Sequence, residues 1–296
     1  MSTERREALQ AISIAPLAKA WLAETEQAYV LQSFQRVVNL VNQESSVLSL
    51  VSSAIGNGPF SLVIEKELFP SDISADAQIE VSGETLRLDD LVIRVQDTPL
   101  WEKEPIWADL RKNPQLATWA APKLATLLRQ HALADSLARL VLDPNAMIPL
   151  PARILEAARE NISKIYLAVQ ENDAESIEAA AKRLAGLGPG LTPAGDDFLV
   201  GLMHGLWATR LEKKAASLSG LIARTAASRT HALSAAWLQA AALGEAAELW
   251  HELLDAIAGQ DASALERAAM RILPTGHTSG ADALGGFLGI LLGRNV

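Results

Sequence analysis

Two stretches of the chain collect the residue types that chemistry needs. GLGPGLTPAGDDFLVG, from Gly186 to Gly201, places five glycines, two prolines, Thr192 and the adjacent Asp196 and Asp197 ahead of an apolar run. GHTSGADALGG, from Gly276 to Gly286, repeats the theme with Thr278, Ser279, Gly280 and Asp282. Each has Gly-x-Thr, a Pro or Ser, a Gly, and then an Asp that opens an apolar segment. The match is short and needs a one-residue gap, so it reads as two similar turns and does not prove a duplication. Glycine permits positive φ and lets a ligand approach without a Cβ in the way. A helix that follows offers unpaired N–H groups and the positive end of its dipole. Gly188, Gly190, Gly195, Gly276 and Gly280, with the hydroxyls of Thr192, Thr278 and Ser279, therefore make an anion site for phosphate or carboxylate. The aspartates would cap their helices, orient a polar substrate amide, or hold Mg2+ between protein and phosphate. Singly, each Asp or Gly reads equally as a cap or a packing residue. Together they favour a ligand site.

If a helix begins near Asp196, then Asp197, Gly201 and His204 share one of its faces. Asp282, Gly286, Gly289 and Gly293 form a similar stripe, and glycine stripes let helices cross closely. The two turns would then lie side by side, with Asp197 and Asp282 at one cleft. SRTHALSAAW adds Arg229, Thr230, His231 and Ser234. Arg229 would pair with an anion bidentately, although a surface Arg and an N-cap Thr explain the pair as well. His277, inside a glycine turn, is the histidine best placed for proton transfer, and His204 reads as a core residue. His131 and His251 fall in ordinary amphipathic helices. No Walker A loop, dinucleotide fingerprint, His-x-x-x-His pair or Gly-x-Ser-x-Gly elbow is present.

These residues need a scaffold, and the sequence describes one in two parts. A small antiparallel sheet or barrel is expected from about residue 27 to 98, where apolar and polar residues alternate on either side of Ser82-Gly83 and GNGP marks a turn. A helix is expected before it. From Trp107 the pattern is helical and rich in Ala and Leu. The predicted helices include one that Pro122 opens and that runs to Leu142, and one that Asp173 caps and Gly186 stops. The fold class is α+β, with a β-rich domain over 1–105 followed by a larger all-α domain over 106–296 that carries the glycine motifs. The 296 residues carry a net charge of −9 and no cysteine. That charge argues against nucleic-acid binding through a basic surface, and the missing cysteine excludes disulfides and thiolate chemistry. MSTERREALQAISIAPLAKAW lacks an uninterrupted apolar core, and FLVGLMHGLWA and ALGGFLGILLG are too short to span a bilayer, so a cytoplasmic protein without membrane contact is expected.

At GLGPGLTPAGDD and GHTSGADALGG, and at the NGP of Asn57–Pro59, the sequence resembles the bacterial family that includes the AllH-type subunit of oxamate carbamoyltransferase. The resemblance runs from about Val30 to the C-terminus. It implies carbamoyl transfer between carbamoyl phosphate and oxamate, in allantoin breakdown. It also implies two partners, an FdrA-like protein and a second large subunit. On the matching positions Asn57, Gly58 and the two glycine turns would bind a small anionic metabolite, with Arg229 and Thr230 of SRTHALSAAW added as further anion-binding candidates. Asp196, Asp197 and Asp282 would orient the amide or hold a metal, and His277 would hydrogen-bond the reacting group or move a proton. A non-catalytic metabolite-binding scaffold subunit and a stand-alone hydrolase or lyase are the competing readings.

Overall fold

A computed structural model describes residues 7–69, 73–82 and 84–293. The chain divides into two compact units, Met1–Glu104 and Pro105–Val296, and the architecture is α+β.

The first unit holds β1 (Glu7–Ile14), α1 (Pro16–Glu24), β2 (Ala28–Phe34), β3 (Val37–Asn42), β4 (Val47–Ser52), β5 (Ser61–Ile64), β6 (Ile79–Ser82), β7 (Thr85–Leu88) and β8 (Leu91–Arg94). They form one sheet in the order β2-β3-β4-β5-β1-β8-β7-β6, whose edge strands β2 and β6 approach each other as in a near-barrel. Alternation along β7 and β8 turns Leu86, Leu88, Leu91 and Ile93 inward. The sheet is mixed, because β1 pairs in parallel with β8 and β4 with β5. The first of these pairs comes from EALQAISI, which was expected in a leading helix. Its alternation suits a strand, and it inserts centrally between β5 and β8. The helix starts only at Pro16, whose fixed φ fits a first turn. The expected hairpin is present as the antiparallel β6–β7 pair, while its glycine, Gly83, lies outside the described residues.

The second unit is helical: α2 (Trp107–Lys112), α3 (Gln115–His131), α4 (Ala138–Leu142), α5 (Ala152–Glu171), α6 (Ala174–Leu184), α7 (Ala194–Thr209), α8 (Glu212–Ala227), α9 (Ala232–Ala242), α10 (Glu248–Ala258), α11 (Ala262–Ile272) and α12 (Ser279–Leu291). The helix expected from Pro122 to Leu142 is in fact two. α3 begins upstream, because Leu116 and Ala120 already belong to its buried face, and it carries Pro122 in its interior. The chain then turns before α4. Asp173 caps α6 through the N–H groups of Glu175 and Ser176, and Gly186 leaves the helix at φ 69°. Among the described residues no helix is long and apolar enough to cross a membrane.

The helical unit repeats its own plan. The hairpin α5–α6 is matched by α10–α11. Each turns through a left-handed residue, Asn172 or Gln260, followed by a capping aspartate, Asp173 or Asp261. The buried face of α6 (Ile177, Ala180, Ala181, Leu184) corresponds to that of α11 (Leu265, Ala268, Ala269, Ile272). Each hairpin then feeds a glycine turn and a central helix, α7 or α12. α8 and α9 pack on α7, while α3 and α4 pack on α12. Two apolar cores result, and the α7–α12 pair contributes to both.

Candidate functional site

The two central helices start side by side. Gly195 rests on the carbonyl of Leu184, where α6 ends, and a Cβ there would lie 2.1 Å from that oxygen. Gly280 rests in the same way on Ile272, where α11 ends, at 1.8 Å. The crossing itself is reciprocal. A Cβ on Gly201 would meet the carbonyl oxygen of Ala283 at 1.7 Å, and one on Gly286 would meet that of Phe198 at 2.1 Å. Further along, Gly205 faces Ile290. Contacts that advance together along both chains define parallel helices whose N-termini converge. Thr192 and Ser279 join across the junction, with their hydroxyl oxygens 3.2 Å apart.

The three acids have different partners. Neither helix is capped by them: Pro193 and Thr278 hold the N-cap positions. Asp196 is fully buried. Its Oδ1 accepts from the Gly186 N–H at 2.9 Å. Its Oδ2 accepts from the Thr230 hydroxyl and from that of Ser234 at 2.8 Å. It therefore ties the first glycine turn to the start of α9. Burial raises its pKa, against the pull of the Thr230, Gly186 and Ser234 hydrogen bonds and of His231.

Asp282 is also fully buried. Its Oδ1 accepts from the Ser136 hydroxyl and the Leu137 N–H, both at 2.7 Å. Its Oδ2 is buried without a hydrogen-bond partner. Burial pushes its pKa up to about 6, against the Thr278 and Ser136 hydroxyls and the N–H groups that start α4. Asp197 Oδ2 is likewise closed from solvent without a partner. Burial holds its carboxyl well above the usual range; the Ser279 hydroxyl opposes this, and the neighbouring Asp282 and Asp196 add to it. The charge of Asp282 thus acts on Asp197 from the neighbouring helix.

The remaining predicted residues lie around this pair or away from it. The N–H groups of Gly195, Asp196, Asp197, Gly280 and Asp282 are used inside the turns and first helical bonds, so the rim offers chiefly hydroxyls. Gly190, at φ 92°, has open space on its Cβ side. Gly188 backs onto Ala194, and Gly276 onto Ser279. His277 is exposed, its Nε2 2.8 Å from Asp135 Oδ2. Arg229 is exposed, and its carbonyl backs Gly186. Thr230 already serves Asp196. Asn57 and Gly58 belong to the first unit, where Asn57 Oδ1 accepts from the Ser13 hydroxyl at 2.6 Å and the Gly58 carbonyl from the Ser61 N–H. His204 lies in the core, edge-on to Trp250 at 4.6 Å, and burial lowers its pKa to about 4. Ser136, Leu137 and Asp135 were missed because they sit in the break between α3 and α4, which the sequence reads as one helix.

Both oxygens of Asp196 and one of Asp282 are filled by donors. Among the described residues no group of three or more His, Asp or Glu could hold a metal.

An α+β chain whose helical unit brings together two glycine-led helix starts, each carrying an acid, with Asp282 buried and Asp197 half-buried, is the class that fold and site define. The chain belongs to the AllH family. Residues 184–291 match the oxamate carbamoyltransferase subunit AllH, and residues 10–100 match the AllH family N-terminal domain. The family is named for an enzyme subunit, and the first of these spans contains both glycine turns and both central helices. No curated protein and no solved structure matches the chain.

Proposed function

We propose that this chain is a subunit of a carbamoyltransferase-type complex and that it binds a small carboxylate or amide such as oxamate, with carbamoyl phosphate, where α7 and α12 converge. The observation that carries the reading is the convergence itself. Two helix starts, a rim of Thr192, Thr278 and Ser279, and two carboxyls with unpartnered oxygens meet at one place. Buried polar atoms without partners call for an explanation, and two of those among the described residues are carboxyl oxygens in the first turns of the two helices. The rim hydroxyls and the positive helix ends suit the anionic end of a short ligand, and the acids suit a neutral, hydrogen-bonding end. Asp196 supports the site by fixing the first turn. His277, in the second glycine turn and paired with Asp135, would hydrogen-bond the reacting group or move a proton. The family name supports a subunit role, and the partners in this reading are an FdrA-like protein and a second large subunit.

Calorimetric titration of the full chain with oxamate, carbamoyl phosphate and inorganic phosphate tests the reading. Binding of oxamate or carbamoyl phosphate is expected. An absence of heat with all three would overturn it.

A further inference from the structure

We infer that α5 docks, antiparallel, on α5 of a second copy of this chain, about a two-fold axis near Ile162, so that this face is a dimer interface.

Three features of the face point to that occupant. First, it is open. A groove of about 600 Å³ lies along α5 and α6, and Ala157, Ala168, Ala179 and Ala180 are among its lining. Small side chains let another helix approach closely. Leu167 stands at the groove with 45% of its surface exposed.

Second, the face complements itself. Arg153, Ala157, Glu160, Lys164, Leu167 and Glu171 recur every three or four residues and share one side of α5. A two-fold axis at Ile162 sets Arg153 opposite Glu171, Ala157 opposite Leu167 and Glu160 opposite Lys164, and each pairing occurs twice. Lys164 Nζ already lies 2.5 Å from Glu160 Oε1 in its own helix, so the two copies together form a ring of four alternating charges. Arg153 and Glu171 are exposed and have no partner among the described residues. They also sit against the helix dipole, a cation in the first turn and an anion in the last. Their own helix gains nothing from them, whereas a second, antiparallel copy does.

Third, a buried amide lies beside the axis. Asn161 is 6% exposed and lines the groove. Its Nδ2 donates to the Ala157 carbonyl at 2.8 Å, and its Oδ1 accepts no hydrogen bond among the described residues. Nδ2 carries a second N–H, so two Asn161 side chains related by the axis can bond each other reciprocally. A buried Asn at a helix–helix contact fixes the register of the pair.

The matching hairpin lacks all of this. Counted from the capping aspartates, the places of Glu160, Asn161, Lys164 and Leu167 are held on α10 by Glu248, Leu249, Glu252 and Asp255. An apolar side chain replaces the amide, Glu252 is tied to Arg271 of α11, and the acids would repel a second copy.

Sedimentation equilibrium of the full chain tests this, with Arg153→Glu, Glu171→Arg and the double swap of both. The wild type should dimerise, less tightly as salt rises. Each single variant sets like charges against each other twice and should weaken the dimer about tenfold. Each also suits the helix dipole, so neither should lower the melting temperature of the dilute chain, and either serves if the other fails to fold. The double swap reverses both pairings and should restore the wild-type dimer. A wild-type chain that stays monomeric up to roughly 100 μM would overturn the inference. So would a dimer indifferent to both single variants, or one that the swap does not restore, since the contact would then lie on another face.

Discussion

At the start of α7 the work of the carboxylates is divided. Asp196 takes all the anchoring bonds, from Gly186, Thr230 and Ser234, and Asp197 beside it keeps an oxygen without a partner. At the start of α12 one residue does both jobs. Asp282 anchors α4 through Oδ1 and leaves Oδ2 free. The two turns share their close-packed glycines, yet the second lacks the spare acid. The difference separates structure from recognition in the first turn and couples them in the second, so substitutions in the first turn can disturb one role without the other.

The largest effect is expected where the two turns depend on one crossing. Gly201→Ala or Gly286→Ala puts a methyl inside a backbone carbonyl's radius and should destabilise the chain by about 3 kcal/mol or more in chemical denaturation, beyond ordinary overpacking. A loss below about 1 kcal/mol would mean that the helices do not cross as described. Next comes the anchor. Asp196→Ala strands one N–H and two hydroxyls and should lower stability by roughly 2–4 kcal/mol in chemical denaturation; a loss below about 1 kcal/mol would show that Asp196 does not anchor the first turn.

A gentler probe uses pH. The folded-state pKa of Asp282 is raised from 3.8 to about 6, so between these values the folded chain holds a proton that the unfolded chain releases. The Asp282 contribution to stability should therefore fall as pH rises from about 4 through about 6 and level off above, while Asp196 and Asp197, whose pKa values are also raised, add slopes of the same sign. Asp282→Asn should flatten that slope in melts across the range, and an unchanged slope would remove Asp282 as its source. The smallest effects belong to the periphery. Arg229→Ala and His277→Ala should each change stability by no more than about 0.5–1 kcal/mol, since both side chains are exposed.

Much of this junction was legible in the residues. Glycine at fixed distances from Asp197 and Asp282 encodes a close crossing, and the shared Gly-x-Thr pattern marks the two turns as equivalent. Period-2 and period-3.6 patterns gave the β-rich and helical parts. What escaped was set by long-range contacts. EALQAISI is a strand because a vacant place between β5 and β8 accepts it, and local propensity does not register such a place. Asp196 reads in the sequence as one of three acids with a shared role, because adjacency in sequence says nothing about which carboxyl meets Thr230 and Ser234 in space. Ser136 carries no local signal, and only the fold brings it to Asp282. The repeat of α5–α6 in α10–α11 is visible once the buried faces are known, because of its four matching positions two are common alanines and two differ in type, Ile177 with Leu265 and Leu184 with Ile272.

The central claim is that a ligand occupies the junction of α7 and α12, and Asp197 is the residue there with the least structural duty. Calorimetry with oxamate on the wild-type chain and on Asp197→Ala tests it most directly. The account predicts binding to the wild type and a loss of affinity of about tenfold or more in a variant that melts normally, equivalent to about 1.4 kcal/mol for a removed hydrogen-bonding group. Equal affinity in the two proteins would contradict it.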